Sequence, residues 1–376
     1  MNTIIEQMPG WDRTTTVVIY VMSVFFATLF AKLYDRTKYN KDILSMVYIC
    51  FSFMSIWGIV AFSTCGADYS SYKRIFESSL EPAYWQTARI ERGYIALNAL
   101  VRLFTKDFVV FRVIWAFMII FMVYKAILSY EEEIDVSLAV MVFASIYIFQ
   151  SMNLMRMYFT MAVMIFGFKH FLEGRKFRYL LYIIVCFFLH RSSLILAMPL
   201  AFSVVFRTEG RFIVKTLTTA LILSLFILLR SVLLSSILFD NAYDLSQNGS
   251  MGIANIIYHV PLVVLFFYVF NNEEYNSEII RRYFIFFLAS FFLGAIQYYI
   301  SNIGRAFVYF ATLYMFFPAY VLNHNTEFER GGLVIDLDLI TAYKIGFGIF
   351  TLFRAFMMTG FFYSDKIMPY TSIFGG

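Results

Sequence analysis

Spanning-length apolar runs, separated by short polar links, decide what this chain can fold into. The hydrocarbon core of a bilayer takes about 20 residues of apolar helix. Runs of that kind are read near 15–33, 43–62, 108–129, 136–150, 154–173, 177–190, 192–206, 216–239, 255–270, 283–300, 305–322 and 339–359. No water reaches such a segment, so each must satisfy its own backbone hydrogen bonds as a helix. The expectation is an all-α polytopic membrane protein with about twelve transmembrane helices. Residues 1–376 then form one integral membrane domain, with 63–107 as a long outer loop carrying short helices. GYIALNALVRLF (93–104) is too short to span and carries Arg102, so it reads as a re-entrant or interfacial helix.

Composition agrees with this reading. Hydrophobic residues make up 61% and charged residues 15% of the chain, well below the soluble average of about 25% charged. The 46 Phe and 27 Tyr suit lipid-facing surfaces and interfacial belts. A net charge of +5, spread along the chain, reads as a topology signal rather than as affinity for nucleic acid. Cys50, Cys65 and Cys186 have neither disulfide-framework nor metal-like spacing, and no metal or cofactor is expected. MNTIIEQMPGWDR lacks a basic n-region, so the first helix is expected to remain.

Lys and Arg set the orientation. With the N-terminus outside, one face collects Lys32, Arg36, Lys38, Lys41, Lys125, Lys169, Arg175, Lys176, Arg178, Arg207, Arg211, Lys215, Arg281, Arg282 and Arg330. Short links and ends on the other face hold six, Arg13, Arg112, Arg156, Arg191, Arg305 and Lys366. Its long 63–107 segment adds Lys73, Arg74, Arg89, Arg92, Arg102 and Lys106, but long segments weigh less in setting orientation. The positive-inside rule makes the first face cytoplasmic and puts both termini outside.

In that topology the polar outliers gather outside. Asp68 and Tyr69 lie in GADYSSYKRIF with Tyr72, which shares the helical face of Asp68. Glu91, Arg92, Tyr94 and Asn98 follow in ERGYIALNALVRLF. Asn153 and Arg156 occupy one outer joint, His190, Arg191, Ser192 and Ser193 the next, and Asn302 and Arg305 a third, while Tyr370 lies in the tail. Each has a plainer reading: arginines at helix ends snorkel, Asp68 caps the following helix, and Glu91–Arg92 is a solvated charge pair. Arg230 and Arg354 lie inside apolar runs, where charge tends to be functional. Clustered arginines present planar donor forks to phosphate oxygens, and a carboxylate or histidine nearby is a candidate general base. With no dinucleotide fingerprint and no Walker A loop, an enzyme facing outward must use an activated substrate already in the membrane.

GADYSSYKRIF, ERGYIALNALVRLF, QSMNLMRMYFTMAV, FLHRSSLILAMPL and IMPYTSIF, in that order, resemble the EpsG family of bacterial polysaccharide-assembly proteins, grouped with Wzy-like polymerases. The chain departs from the family pattern at ERGY, where Pro precedes the Gly, and at RMYF, where Gln usually follows the Arg. The resemblance implies a glycosyltransferase on the outer face of the bacterial cytoplasmic membrane. It would join undecaprenyl-diphosphate-linked oligosaccharide repeat units into capsule, O-antigen or exopolysaccharide, working beside a flippase and a chain-length regulator. On this expectation Asp68, Glu91 or His190 is the base, and Arg156 and Arg305 hold the leaving diphosphate. Tyr69, Tyr72, Arg92, Tyr94, Asn98, Asn153, Arg191, Ser192 and Tyr370 bind substrate. The alternatives are a lipid-linked oligosaccharide flippase and a glycan ligase or O-acyltransferase. A transporter is expected to show internal repeats with broken helices in matching positions, and none is seen.

Overall fold

The computed structural model describes residues 13–40, 43–207, 253–271, 277–296, 301–324, 337–356, 367 and 370–373. The expected span at 216–239, with Arg230, and the 240–252 link lie outside the described residues. Among the described residues the chain is helical, and its β pairing is the isolated bridge Ser63–Ser372. The elements are α1 (Arg13–Thr37), α2 (Ile43–Phe62), α3 (Tyr69–Ser78), α4 (Pro82–Thr87), α5 (Arg92–Arg102), α6 (Phe108–Leu128) and α7 (Val136–Val142). They continue as α8 (Met155–Leu172), α9 (Lys176–Leu189), α10 (Met198–Arg207), α11 (Ile253–Asn271), α12 (Glu278–Ile296), α13 (Ala311–His324) and α14 (Leu337–Phe356).

Four helical stretches are long and apolar enough to cross a membrane: Thr15–Asn40, Ile43–Phe62, Phe108–Leu128 and Ala306–Asn323. Val136–Met152, Arg191–Val204 and Tyr258–Phe270 are apolar but shorter. Val18, Phe25, Phe51, Met54, Phe117 and Phe121 stay exposed. On a soluble chain that much open apolar surface is an aggregation liability; on helices of spanning length it is surface for lipid. α5 has 11 residues and so runs about 16 Å, half of what a span requires.

Three of the expected straight runs are broken. The run after α7 passes through a π segment, Phe143–Tyr147, and a 3-10 segment, Ile148–Met152, before α8 starts. The run from 192 opens as 3-10 helix, Arg191–Ala197, and the run at 305–322 as 3-10 helix, Ser301–Phe310. Such departures from α geometry tend to mark functional or strained places, and here they flank the joints that carry Asn153, His190 and Arg305.

The described contacts form two compact units. The first comprises Met1–Ala88, Ile95–Ala162 and Met315–Gly376. Within it α1 packs on α2 and α7, and α2 packs on α6. The Ser52 hydroxyl bridges the Ala27 carbonyl (2.7 Å) and the Tyr124 hydroxyl (2.8 Å), stitching three helices together. Interhelical bonds of this kind contribute about 0.6 kcal/mol each in lipid.

One end of this unit is closed by a polar knot. Asp135 caps α7 by accepting from Leu138 N–H (3.0 Å) and the Ser137 hydroxyl (2.6 Å), and it pairs with Lys32 (3.7 Å) and Lys344 (3.6 Å). Asp35 accepts from Ser137 N–H (2.8 Å) and pairs with Lys38 (3.2 Å). Tyr34 donates to Glu131. Burial pushes the Asp135 carboxyl up, but Lys32, Ser137, Leu138 N–H and Lys344 outweigh it and hold the group below the ordinary carboxylate value.

The second unit comprises Arg89–Tyr94 and Val163–Tyr314. α9 packs against the 3-10 segment Arg191–Ala197, and α12 packs against α10, α11 and the segment Ser301–Phe310. Phe286 links this core, with ring centroids 4.7 Å from Phe168 and 4.9 Å from Phe310.

Candidate functional site

Two corners carry the chemistry-bearing side chains, one in each unit. In the first unit the corner is made by Gly66. Its φ of +113° lies where side chains are rarely tolerated, and a Cβ there would sit 3.0 Å from the Met152 carbonyl oxygen and 3.3 Å from Asn153 Cα. A glycine at this point of GADY therefore lets the 63–68 loop lie directly on the 152–153 turn. Asp68 N–H then donates to Asn153 Oδ1 at 2.9 Å.

Asp68 stands at the N-cap of α3, where capping is the plain expectation, yet its side chain makes no capping bond. Asp107 and Asp135, at the same position of α6 and α7, both accept from a first-turn N–H, at 2.8 Å from Val109 and 3.0 Å from Leu138. The Asp68 carboxylate acts instead on Tyr72, one turn into α3. The Arg156 guanidinium hydrogen-bonds to the same phenol, which also has a backbone hydrogen bond from Arg156. Burial pushes the Tyr72 phenol up and Asp68 adds to this, against the Arg156 charge. Tyr84 on α4 is also pushed up by burial, with Arg74 and Arg156 opposing. Asp68, Tyr72, Asn153 and Arg156 are thus brought together, with Asn153 buried and Arg156 half-buried.

Tyr69 is half-buried beside this group. Its ring lies edge-on to Phe108 and 5.0 Å beneath the Arg112 guanidinium. Arg112, one turn inside α6, reaches the Ser63 hydroxyl and the Val60 carbonyl (3.5 Å). On sequence alone Arg112 reads only as a topology charge, and nothing marks Tyr84. The usable signal was an arginine within an apolar run.

Tyr370 ties the tail to this unit. Its N–H donates to the Thr16 hydroxyl (2.8 Å) and its hydroxyl to the Ile59 carbonyl (3.0 Å). Thr64 N–H donates to Thr371 O (2.7 Å), and Ile373 N–H to Phe62 O (3.1 Å). Burial holds the Tyr370 phenol up at about 12, with Cys65 adding and Arg112 opposing.

In the second unit the corner is made by Gly93. A Cβ there would lie 2.6 Å from the Phe188 carbonyl oxygen, so only glycine lets the start of α5 meet the end of α9. That approach carries Glu91 to the 190–191 joint. Glu91 Oε1 lies 2.9 Å from His190 Nδ1 and accepts from Arg191 N–H at 3.0 Å. Glu91 is 7% exposed, whereas Arg92 points into the open. The expectation of a solvated Glu91–Arg92 pair is therefore replaced: adjacent residues on a helix do not face each other, and the partner of Glu91 comes from 99 residues away. A carboxylate behind a ring nitrogen fixes the imidazole's orientation and tautomer.

The other expected site residues sit in varied surroundings. Arg191 is exposed, while Ser192 is buried and bonded to the Tyr309 hydroxyl at 2.8 Å. Ser193 is buried too, and no hydrogen-bond partner is found for its hydroxyl among the described residues. Tyr94 and Asn98 are buried on α5. Arg305 falls in the 3-10 segment Ser301–Phe310. Among the described residues no three of His, Cys, Asp and Glu come together as a metal site.

No curated protein and no solved structure matches the chain. A family model does: that of the EpsG family matches residues 46–372, which takes in both glycine corners, both joints and the tail that Tyr370 ties down. The chain belongs to the EpsG family.

Proposed function

We propose that this protein is a membrane glycosyltransferase that polymerises oligosaccharide repeat units carried on undecaprenyl diphosphate. The reaction is set on the outer face of the bacterial cytoplasmic membrane, with about twelve spans and both termini outside. One observation carries the reading: an arginine, an asparagine, a tyrosine and a carboxylate not spent on capping meet at one helix joint. Family membership points to polysaccharide assembly in general.

In the reaction, a hydroxyl of the acceptor sugar attacks the anomeric carbon of the donor glycan. The new C–O bond forms as the bond to the donor's diphosphate breaks, and that electron pair leaves on the diphosphate oxygen. Asp68 takes the hydroxyl proton, a role worth about 10²–10⁴ in rate. Arg156 holds the leaving diphosphate through its donor fork, and charge fixed in advance at such a place is often the largest catalytic contribution. Asn153 and Tyr72 keep Asp68 and Arg156 in register. His190, oriented by Glu91, is the candidate base of the second unit. Tyr69, half-buried beside the Asp68–Arg156 group, offers a stacking surface to sugar.

The test uses purified protein in proteoliposomes supplied with one defined lipid-linked repeat unit. Long chains from wild type, and single units alone from Arg156→Ala, are expected. Transfer of intact units across the bilayer with no new glycosidic bond would replace this reading with a flippase.

A further inference from the structure

A cavity of about 410 Å³ opens on the first unit between α1, the π segment after α7, and α14. Its walls include Tyr20, Val21, Val24, Phe149 and Leu352, with Ser145 as the one hydroxyl besides that of Tyr20. Both hydroxyls are spent: Ser145 donates to Met141 O (2.7 Å) and Tyr20 to Ile367 O (2.7 Å). Arg354 lies between two wall residues in sequence, but its guanidinium sits over the Tyr147 ring at 6.0 Å and is not part of the lining. The interior is therefore apolar throughout, and at this size it falls within the range of about 300–1,000 Å³ typical of ligand sites.

The place of this cavity in the fold matters more than its lining. It is cut into the unit where the helix after α7 leaves α geometry, because Ser145 and Phe149 fall on the π and 3-10 segments. The same distorted stretch ends at Asn153. Tyr20 forms the connecting wall: its ring stacks on Phe149 at 4.3 Å, and its hydroxyl lies 3.9 Å from Met152 Sδ. Met152 is the residue whose carbonyl meets Gly66 and whose neighbour Asn153 holds Asp68. Tyr20 and Met152 thus join the groove to the turn at Gly66 and Asn153, which leads directly into α8 and Arg156.

We propose that this groove takes the first isoprene units of the carrier lipid behind the diphosphate held at Arg156. The inference rests on the polymerase reading. A free-standing lipid site needs no anion-binding corner at its end, whereas a prenyl diphosphate needs both in this order. The cavity holds a short stretch of branched hydrocarbon, and the remaining chain stays in the bilayer. Prenyl carbon entering the groove leaves bilayer hydrocarbon rather than water, so selection among lipid diphosphates rests on how the branched chain packs against the groove walls.

The test uses the full chain in nanodiscs of phosphatidylethanolamine and phosphatidylglycerol, with a benzophenone-bearing C15 prenyl diphosphate as the probe. Irradiation and peptide mapping are expected to place the label on 17–24 and 349–355, with loss of label on adding farnesyl diphosphate and retention on adding palmitate. Val21→Trp and Leu352→Trp change half-exposed wall residues and are expected to cut this labelling about tenfold, while Leu352→Met preserves it. Label scattered over α2 and α6, or displaced equally by palmitate, overturns the groove. Polymer made by a protein that is labelled elsewhere sinks the groove and leaves the polymerase reading. Groove labelling in a protein that forms no glycosidic bond keeps the groove as a prenyl-lipid site and sinks that reading.

Discussion

Two polar clusters in the first unit use carboxylates and cations to opposite ends. In the knot at Asp35, Asp135, Lys32, Lys38 and Lys344, every carboxylate has a helix N–H to accept and a lysine to pair with. At the Gly66 corner, Asp68 holds the N-cap position of α3 with its carboxylate uncommitted to the cap, and its Tyr72 neighbour is shared with Arg156. The first arrangement closes on itself and stabilises helix ends. The second sets a carboxylate and a guanidinium on one buried phenol beside a glycine-dependent contact. Where an aspartate's capping bond goes thus separates architecture from chemistry more sharply than its burial does.

The sharpest way to break that distinction is to separate activity from stability. Asp68→Asn and Arg156→Lys are expected to lower polymer formation by about 10²–10⁴-fold, while changing unfolding free energy by only about 1 kcal/mol. Glycan chain-length analysis beside thermal unfolding in detergent reads both quantities. A large loss of stability from Asp68→Asn would make the corner another knot. Gly66→Ala comes next in size. It forces a side chain into a positive-φ position against the Met152 carbonyl, which costs about 1–3 kcal/mol, and it parts Asp68 from Asn153. Both stability and polymer yield should fall together in this variant, unlike in the previous two.

The knot should show the reverse pattern. Asp135→Ala removes a cap and its ion pairs and is expected to cost about 1–2 kcal/mol, with polymer yield per folded molecule unchanged. Because the Asp135 carboxyl is held below its ordinary value, its contribution is complete above the unfolded value of about 3.9. It is lost as pH falls through the lower folded value. Unfolding profiles of wild type and Asp135→Asn should therefore run parallel from pH 8 to 5 and converge only at acid pH. Convergence already near neutral pH would mean that Asp135 is not held low.

Much of this was legible in the chain, and what was not has identifiable causes. Apolar runs announced the helices, and the Asn153–Arg156 and His190–Arg191 joints stood out because polar residues between two apolar runs need partners. Helix breaks were not legible. In a run such as VSLAVMVFASIYIF nearly every position is apolar, so no periodicity separates α from π or 3-10 geometry. Glu91 was visible as a charge but not its partner, since the contact depends on Gly93 meeting the Phe188 carbonyl, a three-dimensional event. The same holds for Asp68: nothing in GADYSS distinguishes a capping aspartate from one that leaves its helix uncapped, and the Asn153 side chain that takes its N–H comes from 85 residues away.

The smallest predicted effect bears on the edge of the comparison, at Tyr370. Sequence reading offered it as a substrate contact, yet its hydroxyl lies 3.0 Å from the Ile59 carbonyl and its N–H donates to Thr16, so its polar groups are engaged in fastening the tail to α1 and α2. Tyr370→Phe keeps the ring that meets Tyr20 edge-on and deletes one hydrogen bond, which is worth about 1 kcal/mol. If the tail is a fastening, unfolding moves by that amount while apparent affinity for the lipid-linked substrate is unchanged. A tyrosine that binds sugar would give the opposite result, with weaker substrate binding and no change in unfolding. A fastening is the more economical reading of the geometry, because the Thr64–Thr371 and Phe62–Ile373 pairs hold the same two strands of chain together on either side of the Ser63–Ser372 bridge. The knot and this tail then share a logic, polar groups satisfied within the fold, whereas at the Gly66 corner a carboxylate and a guanidinium act on a single phenol.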